Sequence, residues 1–167
     1  MLRIIEDDLS HPAMIALIRA HRANLKALAP QSPPQSHHAL TLDGLRAPDV
    51  TLWGAWDGEV LAGCVALKTL DASHGEIKSM RTANSHLRRG VATQLLAHVG
   101  DEARHRGYRR LSLETGSQPG FAPARAFYER HGFRPCSPFG NYVDDPNSVY
   151  MTRAIEPALH RNLAQNP

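Results

Sequence analysis

Along this chain the spacing of apolar residues switches repeatedly between a period near two and a period of three to four, as in strands alternating with helices. Leu2-Arg3-Ile4-Ile5 reads as a short first strand. Ser10 stands where it can cap a helix, and Met14, Leu17, Ile18, His21, Leu25 and Leu28 then fall on one helical face. Residues 30–38, interrupted by Pro30, Pro33 and Pro34, sustain neither period and are expected to form an extended loop, often a functional feature at such length. Residues 51–56 and 60–67 are apolar, β-branched or aromatic runs joined through Asp57-Gly58, a strong hairpin signal. Residues 76–82 alternate as a further strand, and residues 83–89 form a polar turn. The next helix carries Val91, Ala92, Leu95, Leu96, Val99 and Ala103 on its apolar face, and Gly107 stops it after Arg104-His105-Arg106. Residues 110–115 predict a short strand and 116–120 a loop. Pro123 then opens a brief helix with Ala124, Phe127, Tyr128 and His131 on one face and Gly132 at its end. Residues 133–142 and 148–155 are expected to close the sheet as two strands around Asp144-Asp145-Pro146-Asn147, and the polar tail from Glu156 to fray.

The resulting order, β, α, ββ, β, α, β, α, ββ, describes a mixed α/β sheet with helices on its faces. One domain over residues 1–155 followed by a polar tail, 156–167, is the expected organisation. A chain of 167 residues is long enough to bury a substantial core, and 42% apolar with 21% charged residues disfavours disorder, collagen and repeat architectures. No apolar run reaches the ~20 residues of a membrane span. The first eight positions hold acidic residues where a secretory signal would be basic and then apolar, so a cytoplasmic location without membrane partners is expected. Cys64 and Cys136 read as buried or free thiols rather than a disulfide. The ten histidines lack metal-site spacing, and no metal is expected. A formal charge of +3 favours an anionic ligand without demanding nucleic acid.

Candidate chemistry begins where the strand at 76–82 gives way to the helix. The first turn of a helix leaves several backbone N–H groups without partners, and an anion can satisfy them. In Leu87-Arg88-Arg89-Gly90-Val91-Ala92, Gly90 lets a phosphate approach the backbone, Ala92 keeps bulk away, and Arg88 and Arg89 add positive charge. The turn alone indicates an anion and nothing more specific.

Taken with the preceding strand and with Phe127-Tyr128-Glu129-Arg130-His131-Gly132-Phe133, this segment resembles the GNAT superfamily of N-acetyltransferases. The resemblance spans the chain from about Leu2 to Ile155 in element order, and its specific part runs from Glu76 to Met151. Leu113-Glu114-Thr115-Gly116, Phe121-Ala122-Pro123-Ala124-Arg125 and Asp145-Pro146-Asn147-Ser148-Val149-Tyr150-Met151 look like a bacterial subgroup of YsnE-like acetyltransferases. The resemblance implies a mostly antiparallel sheet flanked by helices, with acetyl-CoA as co-substrate. Its pyrophosphate would be held by the amides of Leu87, Arg88, Arg89, Gly90, Val91, Ala92 and Thr93. Leu87 departs from the Arg or Gln usual there, which loses a side chain and keeps the amides. Met80, Arg81 and Thr82 match strand positions that the family pairs with the pantetheine arm.

Acyl transfer to an amine needs the neutral amine, which at a pKa near 10.4 is about one molecule in a few thousand at pH 7. Glu76 matches a position where several family members place the base, and Glu114 on the neighbouring strand is the other candidate; a solvated strand-end role for Glu76 stays open. Tyr128 matches the tyrosine that faces the cofactor's sulfur, with a core aromatic as its plainer role. The family often carries an asparagine where this chain has Phe121. His37, His38, Asp145 and Asn147 are candidate acceptor contacts on loops. The reaction implied is direct attack by a primary amine of a small molecule or peptide, and family members often pair as homodimers. Two other classes remain. A catalytically idle acyl-CoA sensor is kept open by Leu87 and Phe121. A nucleic-acid-binding module is suggested by Arg88-Arg89, Arg104-His105-Arg106 and Arg109-Arg110, but no aromatics interleave with those charges.

Overall fold

Strands and helices alternate as the periodicity requires, in the order β1 (Arg3–Glu6), α1 (Pro12–Leu28), α2 (Leu42–Leu45), β2 (Val50–Asp57), β3 (Val60–Asp71), β4 (His74–Thr82), α3 (Val91–His105), β5 (Arg110–Gly116), α4 (Ala122–Arg130), β6 (Arg134–Cys136) and β7 (Ser148–Ala154). The computed structural model describes residues 1–158, and the tail beyond lies outside the described residues. The strands form one seven-stranded sheet in the order β1-β2-β3-β4-β5-β7-β6. Every neighbouring pair is antiparallel except β4 with β5.

Several local expectations are corrected. His11, not Ser10, caps α1: its Nδ1 accepts from the Ala13 N–H at 3.1 Å, because Pro12 occupies the first turn and moves the cap to the residue before it. The loop at 30–38 contains a 3₁₀ turn, Pro34–Ser36, and the four-residue α2 was too short to register as a period. Strand β3 runs on to Asp71 and makes a second hairpin with β4. Lys68, Thr69 and Asp71 hide it by breaking the apolar run, and the Asp71 carboxylate fixes the turn by accepting from the Ser73 N–H at 2.8 Å. Only Arg134–Cys136 of the expected 133–142 strand is a strand. The start of the tail is docked rather than frayed, with Ala158 N–H donating to the Arg104 carbonyl at 3.3 Å.

The sheet separates two cores. Leu52, Cys64 and Ala66 pack with Met14 and Ile18 of α1, whereas the alternate residues Trp53, Ala55, Val65 and Leu67 pack with Leu95 and Val99 of α3. Tyr128 of α4 and Phe133 belong to the α3-side core, as do Ile77, Leu111 and Leu113. Strand alternation therefore puts Glu76 and Glu114 on the α1 side.

The parallel pair carries the opening that matters for function. Strands β4 and β5 are laddered only where His74, Gly75 and Glu76 face Arg110, Leu111 and Ser112. Beyond that, β5 continues with β7 on its far edge, and β4 bends away with β3. The bend is a bulge: the β3–β4 register slips between Cys64 and Ala66, and Ser79 takes φ 53°. The two strands splay apart like a V.

Candidate active site

A cavity of about 200 Å³ fills the V, lined among others by Glu76, Met80, Glu114, Tyr128, His37, His38 and Asn147. The fold thus gathers both candidate carboxylates, Tyr128, Met80 and the loop residues His37, His38 and Asn147 into one place, whereas Arg81, Thr82 and the turn at 87–93 do not line it. An adjoining cleft of about 930 Å³ shares Ser36, His38, Glu76, Lys78 and Asn147 with it and adds Asp145.

Glu76 is 3% exposed, which removes the solvated strand-end reading. Its Oε2 accepts from the Tyr142 hydroxyl at 2.6 Å and from Lys78 Nζ at 3.2 Å, and Lys78 also donates to Tyr142 at 3.0 Å. Burial and the adjacent Glu76 carboxylate push the Tyr142 phenol above its usual range, so it stays a donor. Glu114 is less committed, with one hydrogen bond to its side chain, from Ser148 Oγ to Oε2 at 2.7 Å. Burial pushes its carboxyl up to about 7, against the lowering pull of that hydrogen bond and of Lys78.

Tyr128 is 7% exposed and sits edge-on to Phe127 and Phe133, with ring centroids 5.2 and 5.6 Å away. Burial raises its phenol well above the usual range, so its hydroxyl is protonated at neutral pH. It reaches the V from the α3 side, opposite the two carboxylates. Phe121, where the family often has asparagine, is core: it is 8% exposed and packs on Gly116.

Met80 lines the V and leans on the α3-side core. Arg81 turns to the other face, paired with Cys64 and close enough to His21 to help lower that imidazole to about 4, after burial itself. Thr82 ends β4 opposite Gly63. The loops beside the cavity are stitched together: Ser36 Oγ donates to Asp145 at 2.7 Å, and Asn147 Oδ1 accepts from Ser32 and Gln118, each at 3.3 Å. His37 Nε2 lies 3.2 Å from the Ser32 carbonyl, and His38 stacks edge-on against Tyr142 at 4.9 Å.

The turn before α3 leaves backbone donors open, as an anion cradle requires. Arg88 and Gly90 both have positive φ, 60° and 78°, and α3's first backbone bond runs from Gln94 N–H to the Gly90 carbonyl at 3.1 Å. The N–H groups of Val91, Ala92 and Thr93 therefore have no helical acceptor. A Cβ built at Gly90 would meet nothing within 4 Å, so the space above the turn is open. Leu87, Arg88 and Arg89 are exposed around it. The turn is moored from the β2–β3 hairpin, where Asp57 meets His86 Nε2 at 3.0 Å and Arg89 at 3.8 Å. These groups fit a pyrophosphate: open amides and exposed guanidinium charge.

Lys78, Tyr142, Ser148 and Ser36 were not singled out from the sequence. For Lys78 a signal was available, since His74, Glu76 and Lys78 alternate on one face of a central strand. Tyr142 lies in a loop that local periodicity cannot place. Among the described residues no group of three or more His, Cys, Asp and Glu could hold a metal, and no helix is long and apolar enough to cross a membrane.

Comparison with known proteins places this geometry. The acetyltransferase (GNAT) family matches residues 16–133. An uncharacterised N-acetyltransferase of Bacillus subtilis, YsnE, is 55% identical over 149 residues, covering 89% of this chain and 97% of the relative. Among solved structures, a Klebsiella pneumoniae protein described as an acyl-CoA N-acyltransferase superposes with a TM-score of 0.74 at 28% identity, over 93% of this chain and 98% of the other. A family acetyltransferase from Elizabethkingia anophelis, solved with acetyl-CoA bound, has a TM-score of 0.65 at 20% identity, over 92% and 98% of the two chains.

Proposed function

This chain belongs to the acetyltransferase (GNAT) family and is an acyltransferase, and from that premise we propose that it moves an acetyl group from acetyl-CoA to a primary amine by direct attack in a ternary complex. The observation that carries the reading is the V between β4 and β5, with carboxylates on one side of the sheet and a protonated tyrosine on the other. Bound along the V with its pyrophosphate on the Arg88–Ala92 turn, acetyl-CoA supplies an activated acetyl carbon.

The chain's own residues then have four tasks. The amides of Val91, Ala92 and Thr93 and the guanidinium groups of Arg88 and Arg89 hold the phosphates. Glu114 takes one proton of the acceptor ammonium, directly or through water; as the nitrogen forms its bond to the acetyl carbon and the carbon–sulfur bond breaks, the second N–H proton passes through water to the departing sulfur, so that CoA leaves as the free thiol. A carboxyl at about 7 rather than 4.5 makes that transfer easier by about 3 kcal/mol. Glu76, engaged by Lys78 and Tyr142, is the second carboxylate; it orients the acceptor side and adds negative charge that favours the ammonium. Tyr128 donates a hydrogen bond to the departing sulfur. Its raised phenol supports hydrogen bonding rather than full proton transfer, and a bare thiolate in this apolar wall would cost more.

The test is a panel of amines, amino acids and peptides with acetyl-CoA, followed by free-thiol release. Saturable release with an acetylated product of matching mass is expected. Tight acetyl-CoA binding without release from any amine would instead leave a sensor.

A further inference from the structure

Helix α1 brings unused positive charge to the same cavity that holds the two carboxylates. Arg22 and Lys26, one turn apart, both line it, and neither takes part in any ion pair among the described residues. Beside them His21 is 9% exposed, and its Nδ1 is buried without a hydrogen-bond partner. These groups do not serve the cofactor's phosphates, because α1 and α3 pack on opposite faces of the sheet.

The cavity therefore carries Glu114 and the Glu76–Lys78 pair on its floor and the cations Arg22 and Lys26, with neutral His21 beside them, on its α1 wall. We propose that the acceptor is a small amino acid, its ammonium directed to Glu114 and Glu76 and its carboxylate to Arg22 and Lys26. The guanidinium of Arg22 can grip a carboxylate through two parallel hydrogen bonds. The volume, about 200 Å³, lies below the roughly 300–1,000 Å³ of sites for drug-sized ligands, which suits a small acceptor on this part of the site. This inference rests on the acetyl-transfer reading above and narrows its acceptor.

The experiment compares the protein amino acids, β-alanine and 4-aminobutanoate, each beside its own primary carboxamide, by thiol release from acetyl-CoA. At least one acid is expected to exceed its carboxamide tenfold or more in kcat/KM. Arg22→Gln and, separately, the exposed Lys26→Gln should shrink that preference several-fold through KM, with Arg22→Lys retaining more of it than Arg22→Gln. Carboxamides or simple amines that serve as well as the acids would overturn the inference and leave acetyl transfer standing, as would a preference untouched by both variants. Release from no amine at all, despite saturable acetyl-CoA binding, overturns both.

Discussion

Burial of Glu114 acts on rate and stability in opposite directions. As the base, a carboxyl at about 7 gives kcat/KM an ascending limb centred near that pH. Glu114→Gln should remove the limb and lower kcat/KM by about 100-fold or more in a pH-resolved assay. For stability, the folded pKa lies above the ordinary value of 4.5, so the folded state holds the proton more tightly. That contribution is full below pH 4.5 and is lost as pH rises through about 7. Denaturant melts of Glu114→Gln should therefore gain on the parent between those limits, by at most about 3 kcal/mol, with little difference in acid. Tyr128 makes a separable case. Removing its hydroxyl in Tyr128→Phe keeps the ring against Phe127 and Phe133, so the fold and acetyl-CoA binding should persist while kcat falls about tenfold or more. An unchanged kcat would reduce Tyr128 to a core aromatic.

At the scale of elements, the turn before α3 was legible because its signal is local: a glycine and small residues between a strand and an amphipathic helix. Its conformation leads to a specific expectation. Gly90 sits at φ 78° with open space around its missing side chain, so Gly90→Ala meets no neighbour and costs about 1–2 kcal/mol of backbone strain. Its new methyl group stands where a phosphate would approach, so acetyl-CoA affinity measured by calorimetry should fall about tenfold or more while the fold survives. What sequence reading missed at this scale was set by distant partners. The strand expected over 133–142 stops at Cys136, because the chain leaves the sheet to put Tyr142 on Glu76. No period inside 137–147 encodes a contact with β4. The long β3 was hidden for a related reason: its last residues are polar and paired across a turn, so ladder hydrogen bonds rather than apolar burial hold them. Glu76 was legible as a candidate and its burial was not, since a charge in a central strand is buried only when another segment covers it.

For the whole molecule, the sheet is a partition, and the V is the stretch where β4 and β5 part between the two cores. The proposed phosphate cradle and Tyr128 belong to the α3 side, while the carboxylates, the α1 cations and the stitched loops belong to the other. Damage to either core should then separate the two binding functions. Met14 and Leu95 are both 0% exposed, the first in the α1-side core and the second in the α3-side core. Truncation of either to alanine should cost about 2–5 kcal/mol. Because α1 holds Arg22 and Lys26 to the cavity wall, Met14→Ala should raise KM for the acceptor and leave acetyl-CoA affinity nearly intact. Because α3 presents the amides of Val91, Ala92 and Thr93, Leu95→Ala should weaken acetyl-CoA and spare the acceptor term. Calorimetry for acetyl-CoA beside acceptor titrations, run well below each variant's melting temperature, separates the two. Equal losses of both affinities in both variants would mean that the faces move as one body and that the sheet does not insulate them.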